Sequence, residues 1–468
     1  MLKKMSMAVL ATAMSASLYA ADTTASQSTD NASVQAQIAQ LQKDIAKLQA
    51  QQQQMQNQTE VAAPSSGVSG ANGKEVTVPT NMGEIQNFLF SDVTKGVVPM
   101  GMLSSSQFAL GLLKQRNNYS DKALVFGGYL EADAQAWNGS TITRATQTGE
   151  TNPPYTYQSG RGIYITTANL YTAANLGRYV TTELTLSADQ VNDPSVSDAL
   201  VIFGNLADFP LYATVGKNRI PFGSFAGGGP WTGSLTQMLF RPSRESNVSV
   251  NYYKDGLSTN LTLFQTTDHS SNFAYAVFYG GEHGKWSYGA NGGYLYNVNG
   301  SGNTSFDVAT GGSANTKRIG AVNFEGSLNY DIYGVGAGWA QATNKSDMTN
   351  NGYAGAWYVS AGLSPVIYGR STNFALSYNG AYNTNNLPIT LSGSAPNGYT
   401  TVSSTSGTAA KTPSAVTIPG SGVNKMVIAS AQRPFFTENV LVGLEYAYMH
   451  MYNGQHSNAY TVDLSVYF

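Results

Sequence analysis

The chain has no cysteine, little charge and no long apolar run beyond its first residues. Without cysteine it cannot carry a disulfide framework, a thiolate metal site or a lipid anchor on cysteine. Charged residues make up only 11% of the chain and the net charge is −2, so the overall charge does not indicate a nucleic-acid partner. No segment offers the roughly 20 apolar residues that a membrane-spanning helix needs. What remains is a chain rich in glycine and aromatic residues.

The first residues have the features of a secretory signal. Lys3 and Lys4 precede an apolar stretch of about 14 residues, and small residues follow at Ala20 and Ala21. We therefore expect residues 1–21 to be a signal peptide that is cleaved near Ala20 or Ala21. A secreted chain so poor in charge, with 49 glycines and 11% aromatic residues, is typical of a membrane β-barrel.

Residues 22–60 contain a heptad pattern. Apolar residues recur at spacings of three and four, with isoleucine at the a positions and leucine at the d positions. The seam residues are Val34, Ile38, Leu41, Ile45, Leu48 and Met55. We predict a short α-helical coiled coil that oligomerises the chain in the periplasm. The alternative is a solvated, glutamine-rich spacer.

Two further segments separate this helix from the rest of the chain. Residues 61–77 are dominated by proline, serine, glycine and alanine, which predicts a flexible linker. Residues 78–121 contain an apolar cluster around Phe88 and a short helical pattern from Phe108 to Leu113. We expect this pre-barrel segment to pack either in the lumen or under a barrel. It is too small to be a globular plug.

From residue 122 onward, apolar and polar residues alternate with the period of a β-strand. In the last segment, Val462 and Leu464 fall on an apolar face, whereas Asp463 and Ser465 fall on a polar one. The strand segments lie near 123–137, 163–176, 178–189, 197–206, 209–219, 246–253, 256–266, 272–280, 284–297, 317–328, 330–342, 353–362, 368–383, 424–433, 438–452 and 458–468. The pattern predicts an all-β transmembrane β-barrel of about 16 antiparallel strands over residues 122–468.

The connections between these strands alternate between short and long. Counted back from a C-terminus in the periplasm, every tight turn falls on the periplasmic side, as in outer-membrane barrels. The same count places the first strand beside the last, which closes the sheet. Strands 163–176 and 330–342 break the alternation, so we expect bulges in both.

The passage from Gly216 to Gly223, with the sequence GKNRIPFG, resembles the strand-to-loop passage of phosphate-selective and related porins. In porins of this strand number, the loop after the fifth strand folds into the lumen and sets the constriction. The resemblance therefore implies a constriction in the loop from Ile220 to Glu245, with an ordinary surface loop as the alternative. The candidate residues are Lys217, Arg219, Pro221, Phe222, Gly223, Arg241, Arg244 and Glu245.

Acidic residues are predicted on the lumen wall opposite this basic cluster. They are Glu131, Asp133, Glu183, Glu325, Glu445 and Asp463. A basic cluster that faces an acidic wall creates a transverse field, which orients polar solutes in a narrow pore. The alternative is that these charges are merely solvated. The basic cluster favours anions and the acidic wall favours cations, so the net ion selectivity stays open.

No pattern in the sequence indicates catalysis. The four histidines lie in none of the usual catalytic or zinc-binding spacings, and no serine lies in a nucleophile elbow. We therefore expect a protein that is not an enzyme and has neither a cofactor nor a metal site.

The predicted function is an outer-membrane porin that lets small hydrophilic solutes or ions diffuse through a charged constriction. Its expected partners are outer-membrane lipid, lipopolysaccharide and further copies of the chain. Isoleucine at a and leucine at d favour a dimer, whereas porin-like barrels are usually trimers, so both oligomeric states stay open.

Two alternatives accompany this prediction. The plan of signal, coiled coil, the segment IQNFLFSDVTKGVVPMGML and barrel resembles a family of outer-membrane proteins from intracellular pathogens that act in iron or siderophore uptake. That resemblance implies iron or a siderophore as cargo. A structural or adhesive envelope barrel is the other alternative, since the outer loop 384–423 is long, rich in serine, threonine and glycine, and almost uncharged.

Overall fold

The computed structural model describes residues 99–139, 142–144, 155–157, 160–190, 193–265, 271–303, 305–306, 318–345, 351–385, 387, 400–401 and 422–468. The predicted signal peptide, the coiled coil with its seam from Val34 to Met55, and the linker lie outside these residues. Most of the outer loop 384–423 also lies outside them.

Sixteen antiparallel strands close into one barrel, and each strand pairs with its neighbours in chain order. The strands are β1 (Leu124–Gly139), β2 (Gly160–Asn175), β3 (Val180–Ala188), β4 (Ser195–Phe203), β5 (Leu211–Arg219), β6 (Arg244–Lys254), β7 (Leu257–Gln265), β8 (Ser271–His283), β9 (Trp286–Leu295), β10 (Ala321–Tyr330), β11 (Tyr333–Ala342), β12 (Gly355–Leu363), β13 (Asn373–Tyr382), β14 (Val423–Pro434), β15 (Val440–Met451) and β16 (His456–Tyr467). Each predicted strand overlaps one of these, so the predicted barrel is confirmed.

The alternation of side chains along the strands separates an apolar outer face from a polar inner face. In β16, Val462 and Leu464 are 46% and 42% exposed on the outer face, whereas Asp463 and Ser465 are each 1% exposed on the inner face. Buried asparagine, serine and threonine side chains recur on the inner faces of the other strands. This is the pattern of a barrel whose outside meets lipid and whose inside is polar.

The barrel closes where β1 pairs with β16. The register runs from Tyr129 opposite Tyr467 to Gly139 opposite Ser457, and it places Asp133 directly opposite Asp463. Closure satisfies the backbone groups of the first and last strands, which would otherwise form an open edge.

One of the two predicted bulges is present. Glu131 pairs with Thr167 and Ala132 pairs with Ile165, which leaves Thr166 as an extra residue in β2. The bulge predicted in 330–342 is wrong, because β11 pairs with both neighbours without a shift in register. Alternating glycine and alanine in β11 carry too little contrast in hydrophobicity to show which face is which.

The tight turns lie at one end of the barrel. Asp255 and Gly256 have φ angles of 49° and 82°, as a two-residue type I′ hairpin requires. At the same end, Arg178 Nε donates to Asp208 Oδ2 over 2.8 Å, and this bond holds the pKa of Asp208 below its usual value.

Several shorter elements do not belong to the barrel wall. Helix α1 (Phe108–Gln115) precedes β1 and is flanked by three 3₁₀ turns at Met100–Met102, Ser105–Gln107 and Arg116–Asn118, while helix α2 (Leu235–Phe240) lies between β5 and β6. Strands Ile142–Arg144, Tyr155–Tyr157 and Thr400–Thr401 form a small sheet, and Val366–Ile367 pairs with Arg370–Ser371. Among the described residues, no helix has both the length and the apolar character to cross a membrane.

Candidate functional site: the barrel lumen

The connection between β5 and β6, residues 220–243, folds into the lumen; we call it the lumen loop. Its first residues pack against the inner face of β9 and β10, where Phe222 is fully buried. A Cβ added at Gly223 would lie 2.4 Å from Oδ1 of Asn323, and one added at Gly293 would lie 1.9 Å from the Phe222 carbonyl oxygen. Glycine on both sides therefore lets the loop approach the wall closely.

Glu325 on β10 binds the first turn of the lumen loop. The backbone N–H groups of Phe225 and Ala226 donate to its two carboxylate oxygens over 2.9 and 3.3 Å. Asn323 Nδ2 donates to the same carboxylate over 2.9 Å, and the Tyr358 hydroxyl lies 3.4 Å from it. The carboxylate thus satisfies backbone donors that a loop inside a barrel could not pair with a neighbouring strand.

Glu445 on β15 binds the next turn in the same way. The N–H of Trp231 donates to Oε2 over 2.8 Å, and the N–H of Thr232 donates to Oε1 over 3.0 Å. The Trp231 ring meets Tyr164 of β2 edge-on, with 5.7 Å between ring centroids. The lumen loop therefore contacts β9 and β10 as well as β15 and β2, and it crosses the interior of the barrel.

Helix α2 completes the lumen loop. Its N-cap Ser234 accepts a hydrogen bond from the N–H of Gln237, and the N–H of Leu235 donates to Oδ1 of Asn379 on β13 over 3.1 Å. Phe240 packs against Phe306 with 5.4 Å between ring centroids. An apolar core inside the lumen, to which Leu235 and Phe240 belong, therefore holds the helix in place.

The described part of the pre-barrel segment, residues 99–121, also lies in the lumen rather than under the barrel, and its residues before 99 lie outside the described residues. In residues 99–119, here called the lumen segment, Phe108 packs against Tyr171 of β2 with 6.2 Å between ring centroids. Gln107 Nε2 donates to Asn260 Oδ1 of β7 over 3.2 Å, and Arg116 donates to the carbonyl of Gly177 in a tight turn. This segment occupies the end of the lumen that carries the tight turns.

The two lumenal segments meet at Arg241 and Ser105. Arg241 Nη2 donates to Ser105 Oγ over 2.6 Å. Beside this contact is a cavity of about 350 Å³, whose lining includes Ser105, Tyr129, Thr167, Asp198, Arg241 and Arg244. The cavity is polar and carries two guanidinium groups, so its chemistry suits water, anions and small polar solutes.

Only some of the predicted constriction residues line the cavity. Pro221, Phe222 and Gly223 are buried against the wall and do not line the cavity. Arg244 Nε forms a salt bridge of 2.6 Å with Asp198, and Arg219 Nη1 donates to the carbonyl of Pro242 over 2.6 Å.

Lys217 and Glu245 differ in the face that they occupy. Lys217 shares the outward face of β5 with Val215, and its Nζ donates to the carbonyl of Val196 over 2.9 Å. We therefore remove Lys217 from the candidate constriction, because a residue on the outward face of β5 does not line the lumen. Glu245 lies on the inward side of β6 near Gly302.

The six predicted wall acids all lie on inner faces, but they do not form one free acidic surface. Glu325 and Glu445 bind the lumen loop, which corrects our interpretation of them as a charged wall across from the basic cluster. Glu183 is buried and accepts a hydrogen bond from Thr185. The remaining three, Glu131, Asp133 and Asp463, come together at the barrel seam.

Some lumenal residues gave no signal in the sequence. Ser105 and Asn379 carry contacts that fix the two lumenal segments, and Asp198 pairs with Arg244 at the start of β6, yet each is an ordinary polar residue at an inward position or in a turn. Their partners lie more than 40 residues away in the chain, so only the closed barrel brings them together.

A family model described as "Protein of unknown function (DUF3573)" matches residues 69–322 of the chain. A search of curated proteins finds no match.

Several solved barrels are similar to the chain. An OmpF of Salmonella typhi, in complex with daunomycin, has 14% identity and a TM-score of 0.47, with coverage of 75% of this chain and 99% of that one. The outer membrane channel DcaP of Acinetobacter baumannii has 11% identity and a TM-score of 0.46, with coverage of 74% and 97%. An anion-selective porin from Comamonas acidovorans has 10% identity and a TM-score of 0.45, with coverage of 74% and 100%.

Proposed function

The chain belongs to the family described as protein of unknown function DUF3573, and from the geometry of its lumen we propose that it is an outer-membrane porin for small hydrophilic solutes. The observation that carries this proposal is the lumen loop, which Glu325 and Glu445 hold across a polar interior. A fixed loop inside a closed barrel narrows the path and presents its charged residues to a passing solute.

The outer membrane is the environment that suits the outer surface. Apolar side chains such as Leu261, Leu263 and Val462 are about half exposed on the outer face of the strands. In water that surface would promote aggregation, whereas in a bilayer it satisfies the apolar band of a barrel. Outer-membrane lipid and lipopolysaccharide would contact this band.

Charge in the cavity between the two lumenal segments supports selection among polar solutes. Arg241 and Arg244 line the cavity between the two lumenal segments, and Asp198 offsets one of these charges through its salt bridge. Since Glu325 and Glu445 are occupied by backbone N–H groups, the guanidinium groups have fewer free acids opposite them than the sequence indicates. Selectivity then depends on the balance between these arginines and the three acids at the seam.

The decisive experiment is conductance of the refolded protein in planar bilayers, with reversal potentials in a salt gradient. Steady openings are expected, and the double substitution of Arg241 and Arg244 by glutamate should shift the reversal potential towards cations. Lys217→Glu is the matched control, because Lys217 lies on the outward face and should not change the selectivity. A correctly folded protein that never conducts would contradict the diffusion pore.

The occupied lumen favours a second candidate, a gated uptake protein. The lumen segment and the lumen loop enter the interior separately and touch at Arg241, so passage of a larger solute requires one of them to move. Iron or a siderophore is the cargo that the family resemblance of the sequence implies. Binding of labelled ferrous iron or ferric siderophore to a silent, folded barrel would support this candidate over free diffusion.

A further inference from the structure

The acids at the barrel seam form a compact cluster with unsatisfied oxygen atoms. One carboxylate oxygen each from Glu131, Asp133 and Asp463 lies within 4.8 Å of the others. Asp133 and Asp463 are each 1% exposed. In the part of the chain that the structure describes, no lysine or arginine forms a salt bridge with any of the three.

Two buried side chains at this cluster have polar atoms with no hydrogen bond within 3.5 Å in the described structure. They are the two carboxylate oxygens of Asp133 and the hydroxyl of Thr166, which is 4% exposed. The Thr166 hydroxyl faces the carboxylates of Glu131 and Asp133. Thr166 is the extra residue of the β2 bulge, and the bulge places it beside Thr167, which pairs with Glu131. Buried polar atoms without a partner are costly, so an arrangement of this kind indicates a ligand.

We propose that Glu131, Asp133 and Asp463, together with the Thr166 hydroxyl, bind a divalent cation, with Ca²⁺ as the best fit. All the donors are oxygen atoms, which hard cations prefer over softer transition metals. Oxygen ligands of one Ca²⁺ lie about 2.4 Å from the ion, so two of them are separated by at most about 4.8 Å. Mg²⁺ needs shorter distances and a stricter octahedral arrangement, which makes it the poorer fit.

The position of the site gives the cation a structural consequence. Asp133 belongs to the first strand and Asp463 to the last, and they are directly paired across the seam. Bound Ca²⁺ joins the two strands that close the barrel and removes the repulsion between their carboxylates. The Ser465 hydroxyl donates to Asp463 over 3.2 Å and fixes its orientation. Thr167 also lines the lumenal cavity, which connects the site to the interior.

The test is a calcium titration of the full-length barrel, refolded in detergent without lipopolysaccharide and treated with a chelator. We expect one saturable Ca²⁺ site per chain, weaker binding of Mg²⁺, and a higher unfolding temperature in Ca²⁺. Asp133→Asn and Asp463→Asn should each weaken the affinity at least tenfold. Glu183→Gln is the matched control, since it also changes a buried inward carboxylate but leaves the cluster intact, and its affinity should equal that of the natural chain.

Folding of each variant is checked by its heat-modifiable migration on gels. If an asparagine variant does not fold, Thr166→Val serves instead, because it removes only the hydroxyl and should weaken Ca²⁺ binding several-fold. Absence of saturable binding to the natural chain overturns the proposal and indicates that the carboxylates share protons. Equal affinity in the natural chain and in a folded asparagine or valine variant overturns it as well. None of these measurements depends on whether the barrel conducts.

Discussion

The guanidinium of Arg241 donates a hydrogen bond to the hydroxyl of Ser105 over 2.6 Å, and this bond joins the lumen loop to the lumen segment. Ser105 and Arg241 are 136 positions apart in the chain. One reaches the interior from the side of the long connections, and the other lies beside the tight turns. The packing of the lumen therefore depends on a contact between two elements that the barrel wall holds independently.

Substitution of Arg241 by alanine should loosen this junction. Hydrogen bonds to charged groups are worth about 1.5–3 kcal/mol, so the lumenal segments should separate more often while the barrel stays closed. The expected result is larger or more frequent openings in planar bilayers. Arg178→Ala is the control, because it removes an exposed arginine that pairs with Asp208 in a turn. Equal conductance of the two variants would show that the junction does not limit passage.

Glu445→Ala should release the second turn of the lumen loop. The change leaves the N–H groups of Trp231 and Thr232 buried without an acceptor, at a cost of about 1–3 kcal/mol for each group. Glu445→Gln should cost less, because its carbonyl oxygen can still accept one of these bonds. Denaturant unfolding followed by tryptophan fluorescence measures the stability of each protein. We expect the natural chain to be the most stable, Glu445→Gln to be less stable and Glu445→Ala to be the least stable. The opposite order of the two variants would contradict an anchoring role for the carboxylate.

Gly227→Ala tests whether the lumen loop needs close contact with the wall. Gly227 has a φ of +80°, and an added Cβ would lie 2.2 Å from Cδ2 of Tyr358. Gly177→Ala is a matched control with a φ of +89° and no atom within 4 Å of the added Cβ. Both variants bear backbone strain of about 1 kcal/mol, but only Gly227→Ala should displace the loop and alter the conductance. Similar conductance in both variants would mean that the contact of Gly227 with Tyr358 does not affect the conductance.

The barrel could be predicted from the sequence because its signal is local. A strand of about ten residues shows its lipid face by alternation alone, and the tight turns show which end is which. The predicted bulge in β11 was wrong because the residues from Gly334 to Ala342 differ little in hydrophobicity, so their alternation does not show the register. The break in β2 was visible because Ile163 and Ile165 change phase with Leu170.

The contacts in the lumen could not be predicted in the same way. Alternation assigns Glu325, Glu445 and Asp463 to the inner face, but it does not show what stands opposite each of them. Glu445 binds a loop 213 or 214 positions earlier in the chain, and Asp463 meets Asp133 because of the exact register at the seam. Register and loop packing depend on the whole closed barrel. The face of each residue could therefore be predicted from the sequence, but the residue that it contacts could not.

Deletion of Thr166 offers a direct test of the bulge. Without Thr166, Thr167 follows Ile165 and the alternation of β2 becomes regular, with Ile163 and Ile165 still outward and Thr167 still paired with Glu131. We therefore expect the deletion variant to fold, with a change in the free energy of unfolding of about 1 kcal/mol or less. Deletion of Leu170 is the control, because it reverses the faces of every residue on one side of it and should prevent folding. Heat-modifiable migration and circular dichroism distinguish the two outcomes, and failure of both deletions to fold would show that the bulge itself is required for closure.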